Sequence, residues 1–131
     1  MRGEGPTPEE TIRAFTEDFN AERWDRIGRH LDPAVEVRRV PPEPEVRGRD
    51  AVVEEYLKPA MFSSQRIELR RIERVGDAWL TTGSFHGRGA GSGIELTQED
   101  AYAVWRFRDG RVARFEAYID RDEALAAARG G

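Results

Sequence analysis

Apolar residues recur along this chain with two different periods, and the change from one to the other divides it. Ile12, Phe15 and Phe19 lie at helical spacing. Ahead of them, Thr7-Pro8-Glu9-Glu10 supplies a capping threonine, a proline at the first helical position and a glutamate three residues after the cap. Trp24, Ile27 and Leu31 form a second, shorter stripe, which Asp32-Pro33 should stop because a residue before proline is steered away from the helical region. The β-rich segment Val35 to Val40 follows. Pro41, Pro42 and Pro44 end it, since proline cannot donate to a ladder. Gly48-Arg49-Asp50 then leads into a third helix with Val52, Tyr56 and Leu57 on its apolar face, terminated before Pro59.

From Gln65 the period becomes two. Ile67 and Leu69 alternate with charges, Gly76-Asp77 makes a turn, and Trp79 to His86 reads as a second long strand. Gly87 to Gly93 is a flexible hairpin tip, which lacks the lysine and the following helix of a phosphate loop. Ile94 to Phe107 is the third strand, and Asp109-Gly110 turns the chain into the fourth. That closing strand has an apolar face of Ala113, Phe115, Ala117 and Ile119 and a polar face of Arg114, Glu116 and Tyr118. Asp120 with Glu123 caps a last helix from Glu123 to Arg129. The order α-α-β-α followed by four antiparallel strands predicts one α+β domain over residues 1–131. To bury both helical stripes the strands must curl, giving a cone-shaped, curved antiparallel sheet wrapped around three N-terminal helices, with an interior.

Composition narrows what that interior serves. With 21 basic and 25 acidic residues the net charge is −4, and the signs are interleaved, which disfavours nucleic acid and anionic membranes as partners. No apolar run approaches the ~20 residues of a membrane span, and no signal peptide is apparent, so a cytoplasmic location is expected. Cysteine is absent, which removes disulfides, thiol nucleophiles and thiolate metal sites. Two histidines, His30 and His86, make no convincing metal centre; neither metal nor organic cofactor is expected.

Several stretches resemble the SnoaL-like branch of the nuclear transport factor 2-like superfamily. They are Leu31-Asp32-Pro33-Ala34-Val35-Glu36-Val37, Val46-Arg47-Gly48-Arg49-Asp50-Ala51-Val52, and Phe115-Glu116-Ala117-Tyr118-Ile119-Asp120-Arg121. The resemblance implies an α+β barrel with a pocket between the sheet and the first three helices, in a homodimer. Within that superfamily, ketosteroid isomerase and limonene epoxide hydrolase resemble the chain in fold without sharing its chemistry. The isomerase's base, tyrosine and donor aspartate fall on Arg39, Phe15 and Ala103. The hydrolase's water-activating set falls on Val37, Arg39 and Ala117, with its further polar groups near Gly83 and Phe85. None of these residues does the work of the group it replaces.

Strand parity then selects the candidates. Phe15, Phe19, Trp24, Val37, Tyr56, Phe85, Ala103, Trp105, Phe115, Ala117 and Ile119 are expected to line an apolar pocket, aromatic walls facing a floor of small residues that includes Gly83 and Ala101. Arg39 carries a permanent charge at inward parity, and burial without a partner would cost several kcal/mol. Its partner is a ligand's acidic group, an internal Glu99, or solvent at the rim beside Pro41. Tyr56 is a neutral donor to the pocket or a core aromatic. The leading expectation is a dimeric protein that binds a small apolar or weakly acidic molecule. The alternatives are an enzyme of polyketide cyclase, isomerase or epoxide hydrolase type, with Arg39 and either His86 or Glu99 as catalytic residues, and an interaction module using the outer sheet face at Tyr102, Glu116 and Tyr118. On parity His86 faces outward, and His30 is read as structural or exposed.

Overall fold

The computed structural model describes residues 5–58 and 61–130, so the stop at Pro59 lies outside the described residues. The chain opens with α1 (Pro8–Asn20), capped as its sequence dictates: Glu10 N donates to Thr7 Oγ1 at 3.1 Å and Thr7 N donates to Glu10 Oε1 at 2.8 Å. Ile12, Phe15 and Phe19 form its buried stripe. The short helix α2 (Trp24–Ile27) passes into a 3₁₀ turn at Gly28–His30.

Leu31, predicted to close the second helix, instead begins strand β1 (Leu31–Arg38). Pro33 is tolerated there because β1 departs from regular pairing with its neighbour between Leu31 and Glu36. A two-residue edge strand β2 (Val46–Arg47) follows, too short to have a sequence period. Next come α3 (Arg49–Ala51), continued by a wider π-helical turn at Val52–Leu57, then β3 (Phe62–Val75), β4 (Ala78–Gly89), β5 (Glu95–Arg108), β6 (Arg111–Tyr118) and α4 (Arg121–Gly130). Asp120 caps α4, accepting from Glu123 N at 3.0 Å.

The six strands form one sheet in the order β2-β1-β6-β5-β4-β3. Consecutive long strands pair antiparallel, but β1 and β6 run parallel, so the sheet is mixed where the sequence suggested a purely antiparallel one. No hairpin dictates direction at that junction, because the two strands come from distant parts of the chain.

A bulge in β6 corrects the expected inner face as well. Arg106 pairs with Arg114 and Phe107 pairs with Val112, leaving Ala113 as the extra residue. Val112 is therefore fully buried in place of Ala113, while Phe115 and Ala117 keep their predicted side.

The core has two parts. The inner face of the sheet packs against Ile12, Phe15 and Phe19 of α1, Ile27, and Val52 and Leu57 of the third helix. On the outer face, Ala124 and Ala128 of α4 cover Ala78, Leu80 and Val104. Among the described residues no helix is long and apolar enough to cross a membrane.

Candidate functional site

Sheet register places the inward side chains in rows. Val37, Phe115, Trp105 and Trp79 are successive partners across β1, β6, β5 and β4. The next row is Ala117, Ala103 and Thr81, followed by Ala101 beside Gly83. A row of large side chains thus borders rows of small ones. The large ones continue onto the helices: Phe15 meets Trp105 edge to face at 5.3 Å, Trp105 meets Phe115 at 4.8 Å, and Phe115 meets Tyr56 at 5.8 Å. Trp105 is held in place by its Nε1, which donates to Thr81 Oγ1 at 2.9 Å. This chain of rings fills the middle of the cone. Beside it Tyr56, Phe115, Ala101 and Ala117 stay only partly buried, and Ile119 is exposed.

Gly83 leaves no gap on the inner face, contrary to its expected place in a small-residue floor. A Cβ there would stand 2.2 Å from the Glu68 carbonyl oxygen, so the missing side chain is replaced by the backbone of β3.

On the third helix, burial raises the Tyr56 pKa well above that of an ordinary phenol, and the neighbouring Arg39 charge only partly opposes this. The hydroxyl stays protonated at neutral pH. It makes no hydrogen bond to a described residue. Arg39 lies just beyond β1, with its Nε donating to the Pro44 carbonyl at 2.9 Å and a guanidinium nitrogen 3.9 Å from Glu43. Of the three partners that the sequence allowed, Glu99 is excluded: it is exposed, in the irregular stretch of β5, where its carbonyl accepts from Arg70. The arginine is anchored to the loop after β1 with a quarter of its side chain accessible (24%).

A family model for the SnoaL-like domain matches residues 12–115. The chain belongs to the SnoaL-like family. No curated protein matches the sequence, whereas solved structures of the same fold are numerous. TerC, crystallised together with polyporic acid, is 21% identical with a TM-score of 0.73, the match covering 89% of this chain and 96% of that one. An NTF2-like protein of unknown function from Burkholderia pseudomallei is 20% identical at a TM-score of 0.74, covering 94% and 97%. A protein from Jannaschia sp. CCS1, provisionally described as a SnoaL-like polyketide cyclase, is 14% identical at 0.71, covering 98% and 99%. At such identities the likeness establishes fold alone.

In this SnoaL-like domain the predicted pocket residues separate into two groups. Phe15, Val37, Tyr56, Ala103, Trp105, Phe115 and Ala117 gather on the inner face, with Arg39 just past the end of β1. Phe19 and Trp24, 5.8 Å apart, instead line a small cavity of about 90 Å³ with Phe62, Lys58 and Glu22; Phe85 stacks behind Phe62 at 5.6 Å. Arg39, His86 and Glu99 are not brought together. His86 sits on the outer face and Glu99 in solvent, so the constellation that would have used either as base beside Arg39 is not assembled.

His30 is neither isolated nor exposed. Its Nε2 lies 2.8 Å from Asp18, which also accepts from Arg23 Nε at 2.8 Å. Burial by itself would raise the Asp18 pKa, but the Arg23 and His30 contacts hold it below the ordinary carboxylate value. The His30 ring rests against Phe15 at 6.4 Å, on the opposite side from Trp105 in the ring chain. Asp18 lies on the buried side of α1, and sequence offered only its polar interruption of an apolar stripe as a signal.

The outer face is largely engaged within the chain. Tyr102 and Tyr118 pack beside α4, Tyr118 donates to Glu116 at 3.1 Å, and Arg38 stacks over the Tyr118 ring at 4.1 Å. Arg114 binds Glu36, Glu45 and Glu116 at 3.1, 2.9 and 2.7 Å.

Proposed function

We propose that this SnoaL-like domain binds a small, flat, mainly apolar molecule with a weakly acidic end in a recess of the inner face beside Tyr56 and Phe115. The observation that carries this reading is the Tyr56 hydroxyl: held protonated, next to a cationic Arg39, and without a hydrogen-bond partner among the described residues. A neutral donor beside a positive charge suits a carboxylate or phenolate, while Phe115, Trp105, Ala103 and Ala117 suit an apolar ring. TerC, of the same fold, was crystallised together with polyporic acid, which makes aromatic acids the natural first probes.

Binding of a panel of aromatic and polyketide-like acids, followed by quenching of Trp105 fluorescence, tests the proposal. We expect saturable quenching that weakens on Tyr56→Phe and on Arg39→Met; absence of binding below about 1 mM across the panel, equivalent to roughly −4 kcal/mol, would refute it.

An enzyme of cyclase, isomerase or hydrolase type is the less favoured reading, because neither His86 nor Glu99 accompanies Arg39. Its test is turnover of any ligand that binds. A homodimer through the outer face competes with α4 and with the contacts of Tyr118, and sedimentation of the wild type against Glu116→Lys examines it directly.

A further inference from the structure

The loop that anchors Arg39 is itself fastened from the outer face of the sheet. Between β1 and β2 the chain passes through Pro41, Pro42 and Pro44, which have no N–H to donate, and residues 41–44 are exposed. Glu43 N donates to the Val40 carbonyl at 3.3 Å, and Arg39 Nε donates to the Pro44 carbonyl at 2.9 Å. So sparse a set of contacts does not by itself hold a guanidinium still.

The end of the loop is held more firmly, because Glu45 and Val46 are engaged on opposite faces. Val46 is buried and pairs with Val37 of β1. Side chains alternate along a strand, so Glu45 and Arg47 turn to the outer face. There Arg47, Glu36 and Arg114 are successive partners across β2, β1 and β6, and Arg114 reaches over β1 to meet Glu45. Its Nη2 donates to Glu45 Oε2 at 2.9 Å and its Nη1 to Oε1 at 3.5 Å.

Arg114 is a fixed point for that contact. Glu36 accepts from it at 3.1 Å and Glu116 at 2.7 Å, and the Tyr118 hydroxyl donates to the other oxygen of Glu116 at 3.1 Å. Hydrogen bonding to Arg114 holds the Glu45 carboxyl below the ordinary glutamate range, so the pair stays charged at neutral pH. The Pro44 carbonyl and the Glu45 N and Cα belong to one planar peptide unit. Whatever orients Glu45 therefore also aims the carbonyl that Arg39 binds.

On the Arg39 side, the terminal guanidinium nitrogens make no hydrogen bond to a described residue. Glu43 stands 3.9 Å from one of them, beyond hydrogen-bond distance. The Nε contact alone sets the direction in which those donors point.

We infer that Arg114 and Glu45 are positioning residues for Arg39: from the outer face they orient the Pro44–Glu45 peptide, which aims the free guanidinium donors at the acidic group of a ligand. The ligand's part in this rests on the function proposed above, whereas the coupling of the two arginines does not.

Hydrogen exchange at Arg39 Nε, its signal assigned in a proton–nitrogen NMR spectrum by loss in Arg39→Lys, reads that coupling without a ligand. Exchange should be about threefold faster or more in Glu45→Gln and in Arg114→Lys, and no faster in the double variant than in the worse single one, since both remove the same link. Trp105 Nε1, bonded to Thr81, gauges the fold as a whole and should be unchanged. Glu95→Gln, which breaks the exposed pair with Arg88, should alter neither. Arg39 exchange unchanged in Glu45→Gln, or accelerated only in step with Trp105, would overturn the positioning role. With naphthoate as the probe acid, Glu45→Gln should weaken binding about threefold, and equal affinity in the two proteins would overturn the link to the ligand. Failure of naphthoate to bind the parent would count against the recess as an acid site, while the exchange comparison still decides the coupling.

Discussion

Replacing Gly83 by alanine tests whether the missing side chain makes room for backbone or for ligand. The added Cβ would stand 2.2 Å from the Glu68 carbonyl oxygen, 3.1 Å from its carbon and 3.3 Å from Leu69 Cα. Those atoms belong to the paired strand β3 and cannot rotate away as a flexible side chain would. β3 and β4 must separate locally by about 1 Å to restore ordinary contact distances, which stretches the ladder on either side. Overpacking of this kind costs about 1–3 kcal/mol, and an immovable backbone neighbour places the cost near the upper end. The entropy that alanine removes from the unfolded chain returns about 0.4–1 kcal/mol. A net loss of about 2 kcal/mol corresponds to a fall in Tm of roughly 6–8 °C for a chain of this size. Thermal unfolding of Gly83→Ala is compared with that of Gly130→Ala, where nothing lies within 4 Å of the added carbon. A Gly83→Ala midpoint within about 2 °C of the parent would refute the close approach of the two strands.

Two further outcomes follow from the charged clusters. Arg114→Ala leaves Glu36, Glu45 and Glu116 facing one another and should cost about 1–2 kcal/mol in urea unfolding at low salt, shrinking in roughly 1 M salt, where screening shortens to ~3 Å. Asp18 has its folded-state pKa depressed, so the stability it contributes is present above its unfolded-state value near ~4 and is lost as pH falls through the lower folded value. Acid unfolding of Asp18→Asn should therefore start from a less stable protein and show a shallower decline below about pH 4. A parallel decline in both proteins would contradict the depressed pKa.

Much of the fold was legible because its elements announce themselves locally. The Thr7–Glu10 cap, the Ile12–Phe15–Phe19 stripe and the Asp120 cap depend on residues within a turn or two of one another. What escaped was non-local. The parallel pairing of β1 with β6 joins segments with no shared turn, β2 is two residues long, and the bulge that exchanges Ala113 for Val112 is created by the neighbouring strand. Leu31 obeyed helical spacing and still became a strand residue, because pairing with Val112 in the sheet outweighed a weak local preference. In the same way, parity placed Phe15, Ala103, Trp105 and Phe115 on the inner face, but no pattern could reveal that their rings touch, that Arg39 bends to the Pro44 carbonyl, or that His30 finds Asp18.

The β1–β6 junction also sets when the chain of aromatic rings comes together. Phe15 and Tyr56 precede β3, Trp105 and Phe115 lie in the last two strands, and the sheet encloses them together only once Leu31 has found Val112 and Val37 has found Phe115. Ladders between such distant segments form slowly and open as a unit. A molecule held against Tyr56 and Phe115 would act as a clasp across that seam. Its affinity would appear as resistance to unzipping, with protection from hydrogen exchange rising first along β1 and β6 and only afterwards in the hairpin of β3 and β4.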